Sequence, residues 1–543
     1  MTRLVTDPGS LVTDAIDGLV RTSRLQRLDG FPHIKVVYRG DADPAKVALV
    51  SGGGSGHEPA HAGFVGRGML TAAVCGEVFA SPSVDAVLAG ILAVTGDAGC
   101  LLVVKNYTGD RLNFGLAAER AKALGKRVEM VVVGDDIALP DLPQPRGVAG
   151  TLFVHKIAGA AAESGASLEK VAGIARDVAS AVRTYGVALD NCTVPGQTKD
   201  DRIKGGHAEL GLGIHGEPGV ESVAVTSAAD LVSTMMDALH KDGSEQIALV
   251  NNLGAATPLE MSIVVNAMLT GSHGGAIRDV IGPTPMMTSL DMHGFSISLL
   301  PVRTDWVDAL ALEVEPGAWP GCAAVAEVQP QPLPDGLEPK AANASADPQR
   351  RSLIVDCCAA FVSMEADLNA LDAKVGDGDT GSTVATAARA LTESVDDLPL
   401  SDITELYRAL GDRLTTTMGG SSGVLLAILF SAAADASARG LPAMASLREG
   451  LDQMMAYGGA EPGHRTMVDA LLPALDKFGA GNASAEAIAQ AATAARQGAD
   501  ETARMATARS GRSAYVPEAS LSGVVDPGAE GVARLFAAVA ART

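Results

Sequence analysis

Cysteine and positive charge are both scarce in this sequence of 543 residues. Its six cysteines are scattered without a CxxC pair, which excludes a zinc or disulfide framework and favours reduced thiols in the cytoplasm. Lys and Arg number 42 against 64 Asp and Glu, and the net charge of −22 would repel nucleic acid and anionic membranes. Asp7, Asp14 and Asp17 do not fit a signal peptide, and the most apolar run, 423–434, is too short to span a bilayer. The composition predicts a soluble cytoplasmic protein that binds neither nucleic acid nor membrane.

Two kinds of pattern divide the chain. In residues 1–328, short β-branched runs alternate with amphipathic helical segments, which predicts an α/β half made of two subdomains, about 1–186 and 187–328. The stretch 329–348 contains five prolines and little periodic apolar signal, as an extended linker does. Residues 349–543 are rich in Ala and Leu at helical spacing, which predicts an all-α domain.

The first of these helical segments is predicted over 349–371. Further segments of the same kind continue to the C-terminus and are joined by glycine-rich turns.

Two polar loops follow strands of the α/β half. GGGSGHEPAH at 52–61 lacks the Lys and Ser/Thr of a phosphate-binding P-loop, so its glycines indicate either a tight turn or a ligand site containing His57. KNYTGDRLNFG at 105–115 adds Lys105 and Asp110 at another strand end, although either alone could be a solvated loop charge. Together they supply the imidazole, cation and carboxylate that a general-base site needs.

A third glycine loop, GLGIHGEPG at 211–219, contains a nominal G-x-G-x-x-G pattern. Pro218 follows the last of these glycines too closely for a helix to begin there and receive a pyrophosphate, so a dinucleotide site is not expected. What remains is His215, which is either an ordinary loop histidine or a functional one.

Three carboxylates, Asp372, Asp377 and Asp379, lie close together between two helical segments. An EF-hand is excluded, because Ser382 and Ala388 occupy the positions where that motif needs a Gly and a bidentate Glu. The alternatives are a solvated acidic turn and a Mg²⁺ site shared with nucleotide phosphates.

The segment MGGSSGV at 418–424 formally satisfies the esterase pattern G-x-S-x-G around Ser421. The preceding residues are predicted to be helical, whereas that nucleophile requires a strand before it. A loop that binds an anion at the start of a helix fits the sequence better.

In this order, the segments resemble the dihydroxyacetone kinase family, in its ATP-dependent form with sugar-binding and nucleotide-binding domains in one chain. The resemblance covers nearly the whole sequence, and the joint order of the motifs is highly specific. The motifs are GGGSGHEPAH, CGEVFASPS, KNYTGD, GTLFVHKIAGAAAE, GLGIHGEPG, VNNLGA, VGDGDTGST, GGSSG, YGGAEPGHRTM and DPGA.

For the first half, the resemblance implies a site that binds a short ketose. His215 would bond covalently to the carbonyl carbon of the ketose as a hemiaminal, which admits ketones and rejects glycerol. Asp110 would accept the proton of the attacking hydroxyl, and His57 would hydrogen-bond the substrate. The residues that would position the substrate are Gly54, Ser81 and Lys105.

For the second half, the resemblance implies a barrel of about eight antiparallel helices with ATP at one end. Asp372, Asp377 and Asp379 would hold two Mg²⁺ ions against the ATP phosphates. It also implies a homodimer formed through the sugar-binding half. The remaining positions that match nucleotide-binding ones are Thr380, Gly381, Ser382, Ser421, Ser422, Gly458, Thr466, Met467, Asp526, Pro527 and Gly528, together with Asp379 itself.

Two residues depart from the family pattern. His464 replaces an Asp common in the GDRTM segment, which affects the expected nucleotide contacts, and His293 replaces a small residue and is expected either to reshape the sugar pocket or to be neutral. Three alternatives stay open: a kinase of a four-carbon ketose such as D- or L-erythrulose, a non-catalytic ketose-binding regulator, and an FMN cyclase side activity on FAD.

Overall fold

The structure is a computed structural model that describes all residues except 1–3, 6, 8, 29–33, 141–143, 242, 336–342, 480–482 and 543. The chain divides into two compact units, Met1–Pro330 and Gln331–Thr543. This division falls inside the stretch predicted to be a linker, of which residues 336–342 lie outside the described part. Residues 331–335 are exposed and carry neither helix nor strand.

The first unit begins with a six-stranded sheet. Its strands are β1 (Leu25–Arg27), β2 (Val36–Arg39), β3 (Ala48–Ser55), β4 (Ala72–Val78), β5 (Cys100–Lys105) and β6 (Val128–Val133), in the order β1-β2-β4-β3-β5-β6. Strands β4, β3, β5 and β6 are parallel, so their carboxyl ends lie at one edge of the sheet. The helices of this region are α1 (Leu11–Arg21), α2 (Val84–Val94) and α3 (Thr108–Ala123).

A seven-stranded mixed sheet follows. Its strands are β7 (Arg183–Asp190), β8 (His207–Leu210), β9 (Glu221–Ala224), β10 (Gln246–Asn252), β11 (Ile277–Pro285), β12 (His293–Pro301) and β13 (Cys322–Ala324), in the order β13-β11-β10-β12-β7-β8-β9. Only β10 and β11 run parallel among the described pairs. The helices are α4 (Thr151–Glu163), α5 (Leu168–Ala181), α6 (Ala228–Leu239), α7 (Pro258–Thr270) and α8 (Thr304–Ala311).

Helices α4 and α5 lie between the two sheets, and this joins the sheets into one core. Leu101 of β5, Leu152 of α4 and Leu249 of β10 belong to the same buried cluster. Alternate residues of the same strands, such as Leu102 and Val250, pack on the outer faces against α2 and α3 or against α6 and α7. Both sheets are therefore covered on both faces, which explains the continuous apolar runs of their central strands. The two α/β subdomains expected from the sequence share one core.

The predicted subdomain boundary at 186/187 falls inside a strand. β7 begins at Arg183 and pairs with β12, so the second sheet starts before the expected division. The helical region 151–181 that precedes it serves both sheets.

The second unit is helical, as predicted. Its helices are α9 (Pro348–Ser363), α10 (Glu365–Val375), α11 (Thr380–Glu393), α12 (Ile403–Thr417), α13 (Gly420–Ala438), α14 (Ala443–Gly458), α15 (Val468–Leu475), α16 (Ala485–Thr502), the short α17 (Glu518–Leu521) and α18 (Pro527–Ala540). Packing contacts form a closed ring in the order α9, α11, α12, α13, α14, α15, α16, α18 and back to α9. Eight helices thus close a barrel, and α10 packs against α11 and α18 beside it. The helix predicted at 349–371 is two helices, interrupted at Met364.

Helix α13 is longer than the apolar run 423–434 read from the sequence. It has 19 residues, and an 18-residue window within it has a mean hydropathy of 1.5, enough in length and composition to cross a membrane. The prediction that this stretch is too short is therefore wrong for the helix as a whole. One such helix is weak support for a membrane span, because core helices can have the same length and composition, and α13 packs against α12 and α14 within the barrel.

Candidate functional site

The glycine segment 52–61 forms the last four residues of β3 and the loop that follows the strand, and it lies against charged side chains. A Cβ atom on Gly53 would stand 3.4 Å from both Asp110 Oδ2 and Lys105 Nζ, and a Cβ atom on Gly54 would stand 2.7 Å from the backbone nitrogen of Ala80. Gly53 also has a φ of 154°. Glycine is therefore required for the loop backbone to approach these groups so closely.

Lys105 and Asp110 form a buried pair of opposite charges beside this loop. Lys105 is the last residue of β5 and fully buried, and its Nζ has no hydrogen-bond partner among the described residues. Burial lowers the pKa of Lys105, while the Asp110 carboxylate acts in the opposite direction. Asp110 lies in the first turn of α3, is 3% exposed, and accepts a hydrogen bond from Ser81 Oγ. A polar ligand could supply the hydrogen-bond acceptor that this buried amino group lacks among the described residues.

His57 is fully buried in the same loop, and its protonation state is fixed by its neighbours. Its Nδ1 lies 2.7 Å from the carbonyl oxygen of Thr288, which can only accept a hydrogen bond. Burial, followed by the positive charge of Lys105, lowers the pKa of His57 well below its ordinary value. His57 is therefore neutral at pH 7, with the hydrogen on Nδ1 and an unpartnered lone pair on Nε2.

His215 faces His57, with ring centroids 4.9 Å apart. Its Nδ1 lies 3.1 Å from Glu217 Oε1, and its backbone nitrogen donates to Glu217 Oε2 at 2.9 Å. Burial would raise the pKa of Glu217, but the hydrogen bond and charge of His215 outweigh it and lower that pKa to about 2. Because the ionised carboxylate can only accept a hydrogen bond, the Nδ1 hydrogen is directed at Glu217, and Nε2 is the ring nitrogen left to meet a ligand.

Four residues that the sequence did not single out complete this site. Three of them, Phe79, Tyr107 and Glu217, lie inside motifs that were recognised, and the Tyr107 ring is 4.6 Å from the His215 ring. Phe79 stacks on His57 at 5.2 Å. Thr288, on the loop between β11 and β12, acts through its carbonyl oxygen, for which side-chain patterns carry no signal. The structure thus brings Gly54, Ser81, Lys105, Asp110, His57 and His215 into one region of the first unit.

The second unit holds the three aspartates together. One carboxylate oxygen from each of Asp372, Asp377 and Asp379 lies within 4.8 Å of the others. Asp372 is buried and accepts from the backbone nitrogens of Asp379 at 3.0 Å and Thr380 at 3.1 Å. Arg512 contacts Asp377 and lies 3.6 Å from Asp379.

The electrostatics of this cluster suit a hard cation. Partial burial and the charge of Asp377 raise the pKa of Asp379, as expected of like charges held together. Arg512 supplies a positive charge at the place where a metal ion would neutralise the carboxylates. Three oxygen ligands at this spacing fit Mg²⁺.

Several predicted nucleotide positions lie at helix ends, and those at the start of α11 adjoin the acidic cluster. Gly381 and Ser382 lie in the first turn of α11, where Asn369 Oδ1 accepts from the Ser382 nitrogen at 3.0 Å. Ser421 and Ser422 lie in the first turn of α13, and Ser421 is exposed. Helix N-termini present free backbone N–H groups to anions, as the sequence led us to expect.

A second group of these positions surrounds the start of α18. Asp526 caps this helix by accepting from Ala529 N at 2.9 Å, and Pro527 is its first residue. A Cβ atom on Gly528 would stand 3.3 Å from Met467 Cβ, so the 526–528 turn and Met467 are neighbours. Thr466 donates its backbone N–H to Asp469 at 2.8 Å. Gly458 is exposed at the end of α14, and within the described part of the chain no hydrogen bond joins it or Ser421 to the three aspartates.

The two departures from the family pattern have local partners. His464 Nδ1 lies 2.9 Å from Ser510 Oγ, and that hydroxyl lies 3.3 Å from the Gly459 carbonyl oxygen. His293 Nε2 lies 3.0 Å from Glu260 Oε1 in the first turn of α7. His464 thus connects the loop between α14 and α15 to the segment that follows α16, and His293 contacts a side chain of α7.

The sequence and the fold were compared with those of known proteins. The family description "Dak1 domain" matches residues 18–317, and "DAK2 domain" matches residues 374–541. The chain is 47% identical to a dihydroxyacetone kinase of Citrobacter freundii, over 98% of this chain and 97% of that protein. It is 44% identical to a putative 3,4-dihydroxy-2-butanone kinase of Solanum lycopersicum, over 99% and 97%.

A further relative and a solved structure are also similar to this chain. A triokinase/FMN cyclase of Homo sapiens is 40% identical over 99% of this chain and 98% of that protein. The crystal structure of the C. freundii dihydroxyacetone kinase in complex with AMP-PNP and Mg²⁺ matches with a TM-score of 0.71 and 44% identity, covering 100% of both chains.

Proposed function

The chain belongs to the dihydroxyacetone kinase family, and from that premise we propose that it transfers the γ-phosphoryl group of ATP to dihydroxyacetone. The observation that carries this proposal is the site in which His57 and His215 face each other, in the same region of the unit as the buried Lys105 and Asp110. These groups offer a nucleophile, a base and a cation that can act on a small polar ketone.

We propose that the ketose first bonds to His215. The Nε2 lone pair adds to the carbonyl carbon, the C=O π bond breaks, and the carbonyl oxygen takes up a proton. Water supplies the proton of that oxygen, while Glu217 stabilises the positive charge that builds on the ring and passes the Nδ1 hydrogen on to water, so the addition consumes no net proton. His57 and Lys105 provide an acceptor and a donor for the polar groups of the substrate.

Phosphoryl transfer follows at a free hydroxymethyl group of the bound ketose. Its oxygen attacks the γ-phosphorus while the bond to the β-phosphate oxygen breaks, and Asp110 takes the hydroxyl proton. Ser81 donates to one oxygen of the Asp110 carboxylate and so leaves the other to act as the base. Such a step depends on positioning and charge neutralisation more than on covalent chemistry.

In the helical unit, we propose that Asp372, Asp377 and Asp379 hold two Mg²⁺ ions against the ATP phosphates. Bound there, the ions neutralise phosphate charge. The first turns of α11 and α13, at Thr380 and Ser421, would contact the rest of the nucleotide. The 466–467 segment and the 526–528 turn would complete its surroundings.

The test is a comparison of initial rates with Mg-ATP and dihydroxyacetone, D-erythrulose, L-erythrulose, glyceraldehyde or glycerol. We expect the highest kcat/KM with dihydroxyacetone and very little activity with glycerol. The Asp110→Asn variant should lose roughly a hundredfold or more, as enzymes do without a positioned general base. Equal rates with glycerol and dihydroxyacetone would contradict the proposal.

Two other activities are tested alongside, the first by the same rates and the second by a separate assay. The tomato relative is named for a ketone of four carbons, and nothing in the site distinguishes three carbons from four, so a higher kcat/KM with erythrulose would make that the preferred substrate. The human relative is also named an FMN cyclase, and release of FMN from FAD would reveal such a side activity here. A non-catalytic regulator is disfavoured, because Asp110, His57 and the three aspartates are all present.

We also propose that the protein is a homodimer and that it acts in the cytoplasm. Both statements rest on the family and the cysteine usage. Sedimentation of the purified full chain would test the first of them.

A further inference from the structure

Two histidines that the proposed reaction does not use meet at the ends of α6 and α7. His240 directly follows α6, and His273 lies three residues beyond α7. Their Nδ1 atoms are 3.2 Å apart, and their rings are nearly perpendicular at 77°. His240 is 9% exposed, and the side chain of His273 is 23% exposed, so the pair lies just beneath the surface.

The other nitrogen of each ring is committed to a group that can only accept a hydrogen bond. His240 Nε2 lies 2.8 Å from the carbonyl oxygen of Ser244, and His273 Nε2 lies 2.7 Å from Asp237 Oδ1. Each Nε2 therefore carries a hydrogen, and each neutral ring has its lone pair on Nδ1. Two lone pairs at 3.2 Å repel each other unless a cation lies between them.

We propose that His240 and His273 bind a divalent transition metal ion of the zinc class through their Nδ1 atoms. Two imidazole nitrogens about 2.0–2.1 Å from a tetrahedral zinc ion lie roughly 3.3 Å apart. The observed separation matches this distance without any movement of the helices. Imidazole ligands select Zn²⁺, Ni²⁺ or Cu²⁺ over Mg²⁺, and water completes the coordination.

The groups behind the two rings match those that support metal-bound histidines. A carboxylate behind one ligand and a backbone carbonyl behind the other fix the tautomer and make each Nδ1 a better ligand. Asp237 belongs to α6 and holds His273 from beyond α7, so ligand and supporting carboxylate come from different helices.

The position of the site indicates a structural clamp. Ser244 lies just before β10, whereas Leu253, just after β10, accepts from Ser289 at 2.9 Å beside the loop that holds His57. Seven strand residues separate the two ends, about 20 Å at the usual rise of a strand. A metal ion here joins the ends of α6 and α7 and does not touch the reacting ketose.

Zinc binding to the full-length protein tests the proposal. Isothermal titration with ZnCl₂ in excess Mg²⁺, which occupies the aspartate cluster, should show one more bound zinc for wild type than for His273→Ala. His207→Ala removes an exposed histidine and serves as the matched control, with binding equal to wild type. Asp237→Asn keeps both ligands and should weaken binding roughly tenfold, as loss of a supporting carboxylate does. Zinc should also raise the Tm of wild type but not of His273→Ala.

Pulsed EPR with Cu²⁺ alone identifies the ligands directly. Wild type should show two imidazole nitrogens coupled to one copper ion, and His240→Ala should lose this signal. Equal zinc stoichiometry in wild type and His273→Ala, or a wild-type EPR spectrum without a two-imidazole signal, would overturn the proposal. In that case the pair holds a proton and no metal.

Discussion

In the proposed reaction, the reactivity of His215 depends on one neighbour. Glu217 holds the Nδ1 hydrogen and leaves Nε2 free to attack, and its low pKa keeps it ionised throughout the working pH range. We predict that Glu217→Gln lowers kcat/KM for dihydroxyacetone about fivefold to tenfold, since a hydrogen bond to a charged group is worth about 1 kcal/mol more than a neutral one. The exposed Glu221, changed to Gln, provides the control in the same rate assay. Unchanged kinetics of Glu217→Gln would mean that this carboxylate does not orient the histidine.

His215 itself should determine the choice between ketone and alcohol. A site that uses hydrogen bonds alone discriminates modestly between dihydroxyacetone and glycerol, whereas a covalent bond to the carbonyl carbon makes the difference large. We predict that His215→Ala weakens ketose binding and shrinks this preference, while some turnover survives because Asp110 and His57 remain. The measurement is kcat/KM for both compounds at saturating Mg-ATP, with His207→Ala alongside. A mutant that keeps the wild-type preference and affinity would reduce His215 to an ordinary loop residue.

At the level of single elements, the start of α18 carries a pH-dependent charge. Burial raises the pKa of Asp526, the capping residue of this helix, from 3.8 to about 6. The folded state therefore holds this proton more tightly than the unfolded chain. The resulting stabilisation is fully present below about pH 4 and is lost as the pH rises through about 6.

We predict that Asp526→Asn, which keeps a capping side chain without the charge, shows no such loss. The melting temperature of wild type relative to this variant should fall between pH 4 and pH 7, with a change on the order of 3 kcal/mol in stability. A difference that is constant over this range would mean that Asp526 titrates normally. Asp469→Asn should reduce the effect, because the negative charge of Asp469 adds to the rise in the pKa of Asp526.

The elements also show what sequence patterns can and cannot predict. Glycine loops after strands and aspartates at fixed spacing can be recognised in the sequence. Few other structures explain clustered glycines or closely spaced carboxylates. No Pro or Gly marks the interruption of the first barrel helix at Met364. The spacing of apolar residues therefore predicts one continuous helix across this position. The carbonyl of Thr288 has no side-chain signature, and its contact with His57 depends on how two sheets pack. The contact between Arg512 and Asp379 also depends on tertiary packing, because the two residues lie 133 positions apart in the chain.

At the scale of the whole molecule, the proposed ketose binding and the proposed ATP binding belong to two separate units of the chain. The ketose site is built within Met1–Pro330 and the aspartate cluster within Gln331–Thr543. We predict that Asp377→Asn or Asp379→Asn abolishes phosphorylation but leaves ketose binding unchanged. ATP turnover at limiting Mg²⁺ and ketose binding by calorimetry would be compared in the same preparations. Undiminished turnover in either variant would refute the metal assignment.

The central claim is that this kinase holds its ketose through a carbon–nitrogen bond to His215. The most direct measurement is carbon-13 NMR of dihydroxyacetone labelled at the carbonyl carbon, bound to full-length protein with nitrogen-15 in its histidine rings. We predict a tetrahedral carbon resonance that is split by one-bond coupling to nitrogen, present in wild type and in Asp110→Asn and missing in His215→Ala. The coupling separates the adduct from the hydrate of free dihydroxyacetone, whose carbon is also tetrahedral. A bound substrate that keeps its carbonyl resonance, or shows an unsplit tetrahedral one, would contradict the account.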